Sequence, residues 1–582
     1  MNNSKNLSTH YWALAGVMVL GAILRFWHLD LKPLWLDEVL TALLSLGRLY
    51  VDVPLDVVFP LSTLQQLFTL KPDVSCPEIA QAVASQSTHP PLFFCLMHQW
   101  LSWLEPVAQS LSWKLRALPA LIGVCAIASI YCLNRIVFSP TAGLMGAALM
   151  AVSPFGVYLS QEARHYTLPV LLTTLALLGF VQIQQTLYSR KLPRPRIWAV
   201  WGIVNSLGCY VHYFFILAFI AQLATLIGVM LHRRRLPKGS WLAVGLVVVG
   251  VAVSYLPWLP MLFGDFGRPE TGWLPTPEHI MPLVQTLMGW ILMVIALPIE
   301  GQPLWIQVPI ALLMLGFTSW VSLQSWRGFK QLWRQPETHV ATLALSCFTV
   351  CVLLQFLAIV YLLGKDITVA PRYNFVYYPA IIALVGASLA VNTRTMGQWR
   401  KILPLCLGLL SCVFVVSNLV FLKPFNPQQI AQDMNLEPVV PMMIAMGYNN
   451  FQDVALGLSV ALAVEQEEYR SSGVQEFRTF INSGRTELLA EDTSFVFLDS
   501  KLGYDLVWQK LSKLPASSLG RMNLWVIAPG LRRRDYPQQL TIGSAEPDVG
   551  IANQIPCTRD PSEYYRIGFP YQLYRCQKGA SP

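Results

Sequence analysis

The stretch VATLALSCFTVCVLLQFLAIVYLL, Val340 to Leu363, contains no charged residue and no proline. A helix needs about 20 mainly apolar residues to cross the hydrocarbon core of a bilayer. It must also satisfy its own backbone there, because lipid offers no hydrogen bonds. The run is too long for a buried strand, so it reads as a membrane-spanning helix. Working outward, the same reading covers 304–323, 375–392 and 402–421. It also covers 11–28, 116–134, 141–158, 167–187, 241–258 and 197–231, the last long enough for a hairpin of two. These make about eleven crossings. Segments 90–104 and 279–298 are apolar but short or broken by proline, and including them gives about thirteen.

Composition agrees. Hydrophobic residues make up 54% of the chain and charged residues 13%, with a mean hydropathy of +0.47. A soluble domain carries about 25% charged residues, so water does not solvate most of this chain. The net charge of +9 is gathered in short clusters between apolar runs, the pattern of cytoplasmic membrane loops. It is not the basic face of a nucleic-acid-binding domain, and no nucleic-acid partner is expected. Most cysteines lie in apolar runs and read as small hydrophobes. Cys557 and Cys576 lie in the tail, where an exported pair forms a disulfide or stays as two thiols. The segment after His10 lacks a small-residue cleavage site and reads as a signal anchor.

Four basic clusters set the orientation: Arg190 to Arg196, His232 to Lys238, Arg327 to Arg334, and Arg394 to Lys401. Eleven crossings with a cytoplasmic N-terminus place all four inside. The outer face then carries 29–115, 159–166, 259–303, 364–374 and everything after Phe421. A change of character at Lys423-Pro424-Phe425-Asn426-Pro427 separates a membrane domain, 1–423, from a soluble extracytoplasmic domain, 424–582. In the latter, MMIAMGY, TSFVFLD and NLWVIAPG read as buried strands and 452–483 as helix. The fold class is therefore an α-helical polytopic membrane protein with a C-terminal soluble α/β domain.

Polar residues recur at the outer helix ends. Trp35-Leu36-Asp37-Glu38 presents two adjacent carboxylates, a general base or a solvated acid pair. Thr88-His89-Pro90-Pro91 holds His89 at interface depth, to meet a phosphate or the backbone. In Ser160-Gln161-Glu162-Ala163-Arg164-His165-Tyr166, Glu162 and Arg164 either pair with each other or face a sugar phosphate, beside Tyr166. His212 lies between Tyr210 and Tyr213, which an aromatic belt explains. Arg372, next to Tyr373, runs against the positive-inside bias; it is an interfacial anchor or a bidentate phosphate ligand. Together these describe a polar site at the membrane surface for an anionic lipid head group and a second substrate.

In their order along the chain, LRFWHLDLKPLWLDE, THPPLFFCLMHQWL, KLRALPALIGV, LMAVSPFGVYLSQEARHY and PRYNFVYYP resemble the GT-C glycosyltransferases. The resemblance is to the dolichyl-phosphate-mannose-protein mannosyltransferase-like family (family 39-like), which includes bacterial aminoarabinose transferases, and covers roughly residues 11–420. It implies a GT-C-like membrane domain, a sugar donor linked to a polyprenyl phosphate, and an active site at the outer (periplasmic) face of the plasma (inner) membrane. It implies Asp37 as catalytic base, with Glu38 its less suited neighbour, and Glu162 and Arg164 as a second acidic motif near the site. Arg372 and Tyr373 match a donor-holding region. His89 stands where aminoarabinose transferases have a lysine near the lipid phosphate. The implied reaction is an inverting displacement onto an acceptor hydroxyl of a glycan, lipid or protein. No dedicated metal cage is visible, although a lone divalent ion at Asp37 is compatible. The rival classes are a polytopic transporter, for which no internal repeat is evident, and a non-catalytic lipid-binding protein.

Overall fold

The computed structural model describes residues 2–233, 236–265, 272, 274–391, 399–471, 493–516, 521–544 and 554–577. Of the residues read from sequence, Arg234, Arg235, Arg394 and the stretch 472–483 lie outside these. The chain forms two compact units. The first gathers Met1–Leu31, Val83–Met97 and Leu115–Leu422, and the second Lys32–Ala82, His98–Lys114 and Lys423–Pro582.

The first unit is helical. Among the described residues, 7 helices are long and apolar enough to cross a membrane, or 8 if one bent pair counts as a span. The protein is thus an integral membrane protein with several spans. The count falls below eleven because several apolar runs form short helices. Tyr378–Val391 has 14 residues and Pro195–Cys209 has 15, below the roughly 20 that a perpendicular crossing requires. The run 90–104 becomes the 12-residue helix Leu92–Trp103, and 279–298 becomes Met281–Val294.

Small residues and buried amides bring these helices together, as lipid-facing bundles require. A Cβ on Gly386 would stand 2.7 Å from the Cα of Gly146, so helices Pro140–Ala151 and Tyr378–Val391 touch backbone to backbone. Asn134, fully buried, donates to the carbonyls of Ala142 at 3.3 Å and Ala383 at 3.0 Å.

The run 141–158 is one apolar stretch in sequence but two helices in the structure. Pro140–Ala151 and Pro154–Ser160 meet at 60°. Pro154 cannot continue a helix, and Ser153 Oγ accepts the Gly156 N–H at 3.3 Å, capping the second piece. The carbonyls orphaned at the end of the first piece accept from a buried guanidinium. Arg25 Nη1 donates to Ala151 O at 3.1 Å and Nη2 to Met150 O at 2.9 Å. A cation at a helix C-terminus also opposes the helix dipole. The break turns the chain into the buried segment Gln161–Tyr166 before helix Thr167–Tyr188 begins.

The second unit holds a mixed eight-stranded sheet in the order β1-β3-β2-β5-β8-β7-β6-β4. The strands are β1 Phe59–Pro60, β2 Met442–Tyr448, β3 Thr493–Asp499, β4 Pro515–Ala516, β5 Arg521–Ile527, β6 Gln539–Ser544, β7 Gln554–Ile567 and β8 Phe569–Gln577. The three apolar runs read as strands become β2, β3 and β5. β2 lies parallel to both of the others and every residue in it is buried, as expected for a strand covered on both faces. Helix Phe451–Ser471 connects β2 to β3. The β7–β8 hairpin turns at Gly568, whose φ of +78° disfavours any side chain. Across it Cys557 and Cys576 are register partners and form a disulfide. Parts of the segment 29–115, Lys32–Ala82 and His98–Lys114, also join this unit. β1 pairs antiparallel with β3, and Ser459 Oγ donates to Leu34 O at 2.6 Å.

Candidate active site

Four short connections of the first unit bring the polar residues together. The segment Gln161–Tyr166 is pinned by Gln161, whose Nε2 donates to Trp27 O at 2.8 Å and Leu24 O at 3.3 Å. Its main chain tightens where the Arg164 N–H donates to Glu162 O at 2.7 Å. His89 precedes helix Leu92–Trp103, held extended by Pro90 and Pro91. His212 occupies the turn between helices Pro195–Cys209 and Phe214–His232. The Leu92 N–H donates to Tyr210 O at 3.1 Å, tying the second connection to the third. Arg372 and Tyr373 lie on the 3-10 turn Pro371–Val376.

These connections form one cluster. The ring centroids of His89 and His165 are 4.8 Å apart, those of His165 and His212 4.9 Å, and those of His89 and His212 6.1 Å. The guanidinium carbons of Arg164 and Arg372 lie 5.8 and 5.9 Å from the Tyr166 ring centre. Tyr373 is 6.1 Å from His212, ring to ring. Arg164, His165 and His212 are 4%, 1% and 6% exposed, so bulk water is excluded.

The hydrogen-bond pattern assigns the protons. Arg164 Nη2 lies 3.2 Å from His89 Nε2. A guanidinium can only donate, so Nε2 carries a lone pair. The ring proton is then on Nδ1, which sits 3.1 Å from Ser87 Oγ. In His212 the Phe214 N–H donates to Nδ1 at 3.0 Å, so the proton is on Nε2. That N–H is buried and has no hydrogen-bond partner among the described residues. Neither ring nitrogen of His165 has one. Burial, the largest cause, holds all three imidazoles well below their ordinary range, and the charges of Arg164 and Arg372 push the same way. For His165, the neighbouring His89 and His212 rank ahead of the arginines. The three rings are neutral at neutral pH, and the cluster's positive charge resides on the guanidiniums.

Such a set suits an oxyanion. Buried N–H donors without acceptors cost about 1–3 kcal/mol each, and two guanidiniums beside them supply charge and bidentate geometry for phosphate. Among the described residues, no three His, Cys, Asp or Glu side chains are arranged to hold a metal ion.

His89, Arg164, Tyr166, His212, Arg372 and Tyr373 therefore meet, and Glu162 lies buried in the same segment as Arg164. His165, at the centre of the cluster, is the residue that sequence reasoning passes over. Its signal was its position between Arg164 and Tyr166. Asp37 and Glu38 belong to the second unit, in the first turn of helix Leu36–Ser45. Glu38 is fully buried and its Oε2 accepts the Trp35 N–H at 3.4 Å, closing the helix start. Asp37 is only half-buried, and Thr41 Oγ1 donates to its carbonyl at 3.0 Å. Of the pair, Glu38 has the structural task.

Comparison with known proteins adds the following. The family described as Dolichyl-phosphate-mannose-protein mannosyltransferase matches residues 88–258. No curated protein matches the chain by sequence. Among solved structures, apo ArnT from Cupriavidus metallidurans aligns over 99% of this chain and 98% of its own, with TM-score 0.51 and 11% identity. ArnT of the same organism bound to undecaprenyl phosphate aligns over 97% of each chain, with TM-score 0.50 and 11% identity. At that identity the likeness is one of fold, and it runs the length of both chains.

Proposed function

We propose that this chain, a membrane protein of the ArnT-like GT-C fold, is a glycosyltransferase that moves a sugar from a polyprenyl-phosphate carrier to an acceptor hydroxyl. The observation that carries the reading is the cluster in which the guanidiniums of Arg164 and Arg372 lie on either side of Tyr166 beside the buried His212 Nε2–H, which has no partner among the described residues. A phosphodiester supplies an acceptor oxygen for that N–H and a negative charge beside the two guanidiniums.

The reaction is a single displacement. The acceptor oxygen forms a bond to the sugar C1 as the bond from C1 to the phosphate oxygen breaks. The phosphate leaves with the bonding pair as a monoester, and configuration at C1 inverts. Asp37 takes the acceptor proton, a role that rests on the sequence resemblance. Arg164 and Arg372 stabilise charge on the departing phosphate, with His89 oriented by Arg164. Preorganised donors of this kind contribute about 10²–10³ each to turnover. Glu162 is the reserve carboxylate, and Tyr166 and Tyr373 line the donor side. The basic loops favour a cytoplasmic N-terminus, which assigns the second unit and the acceptor (glycan, lipid or protein) to the periplasmic side of the plasma (inner) membrane.

Sugar transfer in membranes expressing wild type or Asp37→Asn, with a panel of polyprenyl-phosphate sugars, tests this. We expect transfer by wild type and a loss of about 10²–10⁴-fold in the variant, the range for a general base. Transfer undiminished by the substitution would remove Asp37 from the mechanism. No transfer with any donor and acceptor pair would sink the glycosyltransferase reading.

A further inference from the structure

We infer that His165 takes up a proton when a phosphate monoester occupies the cluster, so that the leaving carrier phosphate is bound by an imidazolium. The inference rests on the phosphate-site reading above and goes beyond it by assigning a group that follows the charge of the phosphate.

The three imidazoles differ in what a second ring proton would cost. A second ring proton on His89 would go to Nε2, which accepts from Arg164 at 3.2 Å. It would set two donors against each other. A second proton on His212 would go to Nδ1, which accepts the Phe214 N–H at 3.0 Å, with the same result. His165 has neither nitrogen engaged, so it gains a proton without losing a hydrogen bond. It is also central, within 4.9 Å of both other rings, centroid to centroid.

Without a phosphate the proton stays off. The groups that act on His165 are His89, His212, Arg164 and Arg372; the histidines are neutral, the arginines oppose a further positive charge, and burial does too. A phosphodiester donor brings one negative charge. Cleavage of its C1–O bond leaves a monoester with a second ionisation near pH 6, hence close to two charges at neutral pH. The extra charge appears beside a buried, uncommitted base and favours its cation. The balance is simple. The acceptor proton goes to the general base, the bonding pair goes to the phosphate oxygen, and His165 binds one proton delivered from solvent.

The test is calorimetric titration of the full-length protein in detergent. The probes are a short-chain polyprenyl phosphate and its methyl diester, at pH 7.5 in two buffers of different ionisation enthalpy. For wild type we expect about one proton taken up per monoester bound and none per diester, with monoester affinity rising about tenfold per unit fall in pH. His165→Gln, which keeps a hydrogen-bonding side chain, should still bind both compounds and take up no proton with either. Monoester binding by wild type without proton uptake would overturn the inference and leave the phosphate site standing. The same uptake in wild type and variant would place the proton on the phosphate or another group, and would also overturn it. Failure of both compounds to bind wild type would remove the phosphate site and this inference together. If His165→Gln binds neither compound, His165→Asn serves as the second variant. Retained uptake in a variant that still binds is the overturning result.

Discussion

In the second unit, Arg575 donates to Glu437, to Asp560 Oδ2 at 3.3 Å and to Asn523 Oδ1 at 3.0 Å. In the first unit, the more deeply buried His165 makes no hydrogen bond to a described residue through either ring nitrogen. Around Arg575 the pattern is closed, since Glu437 also accepts from Arg521 Nη2 at 3.3 Å and Asn523 Nδ2 at 3.1 Å. Buried tyrosines of that unit find carbonyls: Tyr536 reaches Pro570 O at 3.0 Å and Tyr574 reaches Pro537 O at 2.8 Å. A polar network whose members satisfy one another holds a fold together. Buried donors left open in a site lined by cations await a partner from outside, because native proteins leave few such groups without a reason. The sign of the stability change on deletion should therefore differ between the two regions.

The largest effect is expected at the β7–β8 hairpin. The disulfide closes a loop of sequence separation 19, for which chain entropy alone gives about 3 kcal/mol. The double variant Cys557→Ser, Cys576→Ser should lose protection against hydrogen exchange over Gln554–Gln577 and leave helix Thr167–Tyr188 unchanged. Unchanged protection in the hairpin would mean that the strand pairing suffices without the covalent link.

A smaller loss, about 1–2 kcal/mol, is expected for Glu437→Gln, since three donors lose a charged acceptor but the site is partly open to water. The Asn523 hydrogen bond holds the Glu437 carboxyl below its ordinary range; burial opposes it, and the charges of Arg575 and Arg521 add to the lowering. A depressed carboxyl contributes stability that is present above its unfolded pKa and lost as pH falls through its folded one. The wild-type advantage over Glu437→Gln should thus be full at neutral pH and fade below the ordinary glutamate range. An advantage independent of pH would assign the effect to packing instead.

Sequence and structure agree where the physics is local. Val340–Leu363 is spanning because of its own composition, and β2, β3 and β5 are apolar runs short enough to be strands. The bend at Ser153-Pro154 hides inside one hydropathy run, because the average ignores where a single proline falls. β1 escapes notice because two residues, Phe59 and Pro60, carry no pattern and pair with a strand far along the chain. β7 mixes exposed and buried positions, and β8, though nearly all buried, carries Pro570, Gln572 and Arg575 within its run, so the apolar-run criterion passes them by. In the site, polar residue types at the ends of apolar runs indicate His89, Arg164, Tyr166, His212, Arg372 and Tyr373. Which nitrogens stay open depends on three connections meeting in space. That fact separates His165 from its neighbours, and no single window of sequence contains it.

The smallest expected effect has the opposite sign. His165→Leu replaces a ring with two unpartnered nitrogens by an apolar side chain, among Phe93, Tyr166 and the other two imidazoles. Removing an unsatisfied buried polar group recovers part of its desolvation cost, about 1–3 kcal/mol, and imperfect repacking takes some back. A net gain of about 1 kcal/mol is expected in the ligand-free protein. The pH dependence checks the cause. Burial first, then its charged and aromatic neighbours, hold His165 well below the ordinary imidazole range. Below that range the unfolded chain binds a proton that the folded one refuses, so wild-type stability falls as pH falls. The leucine variant should lose its share of that slope, and its advantage in thermal unfolding should widen from pH 8 toward pH 5.5. Lower stability than wild type at every pH would mean that His165 is satisfied in the resting protein, and the contrast with the Arg575 network would collapse.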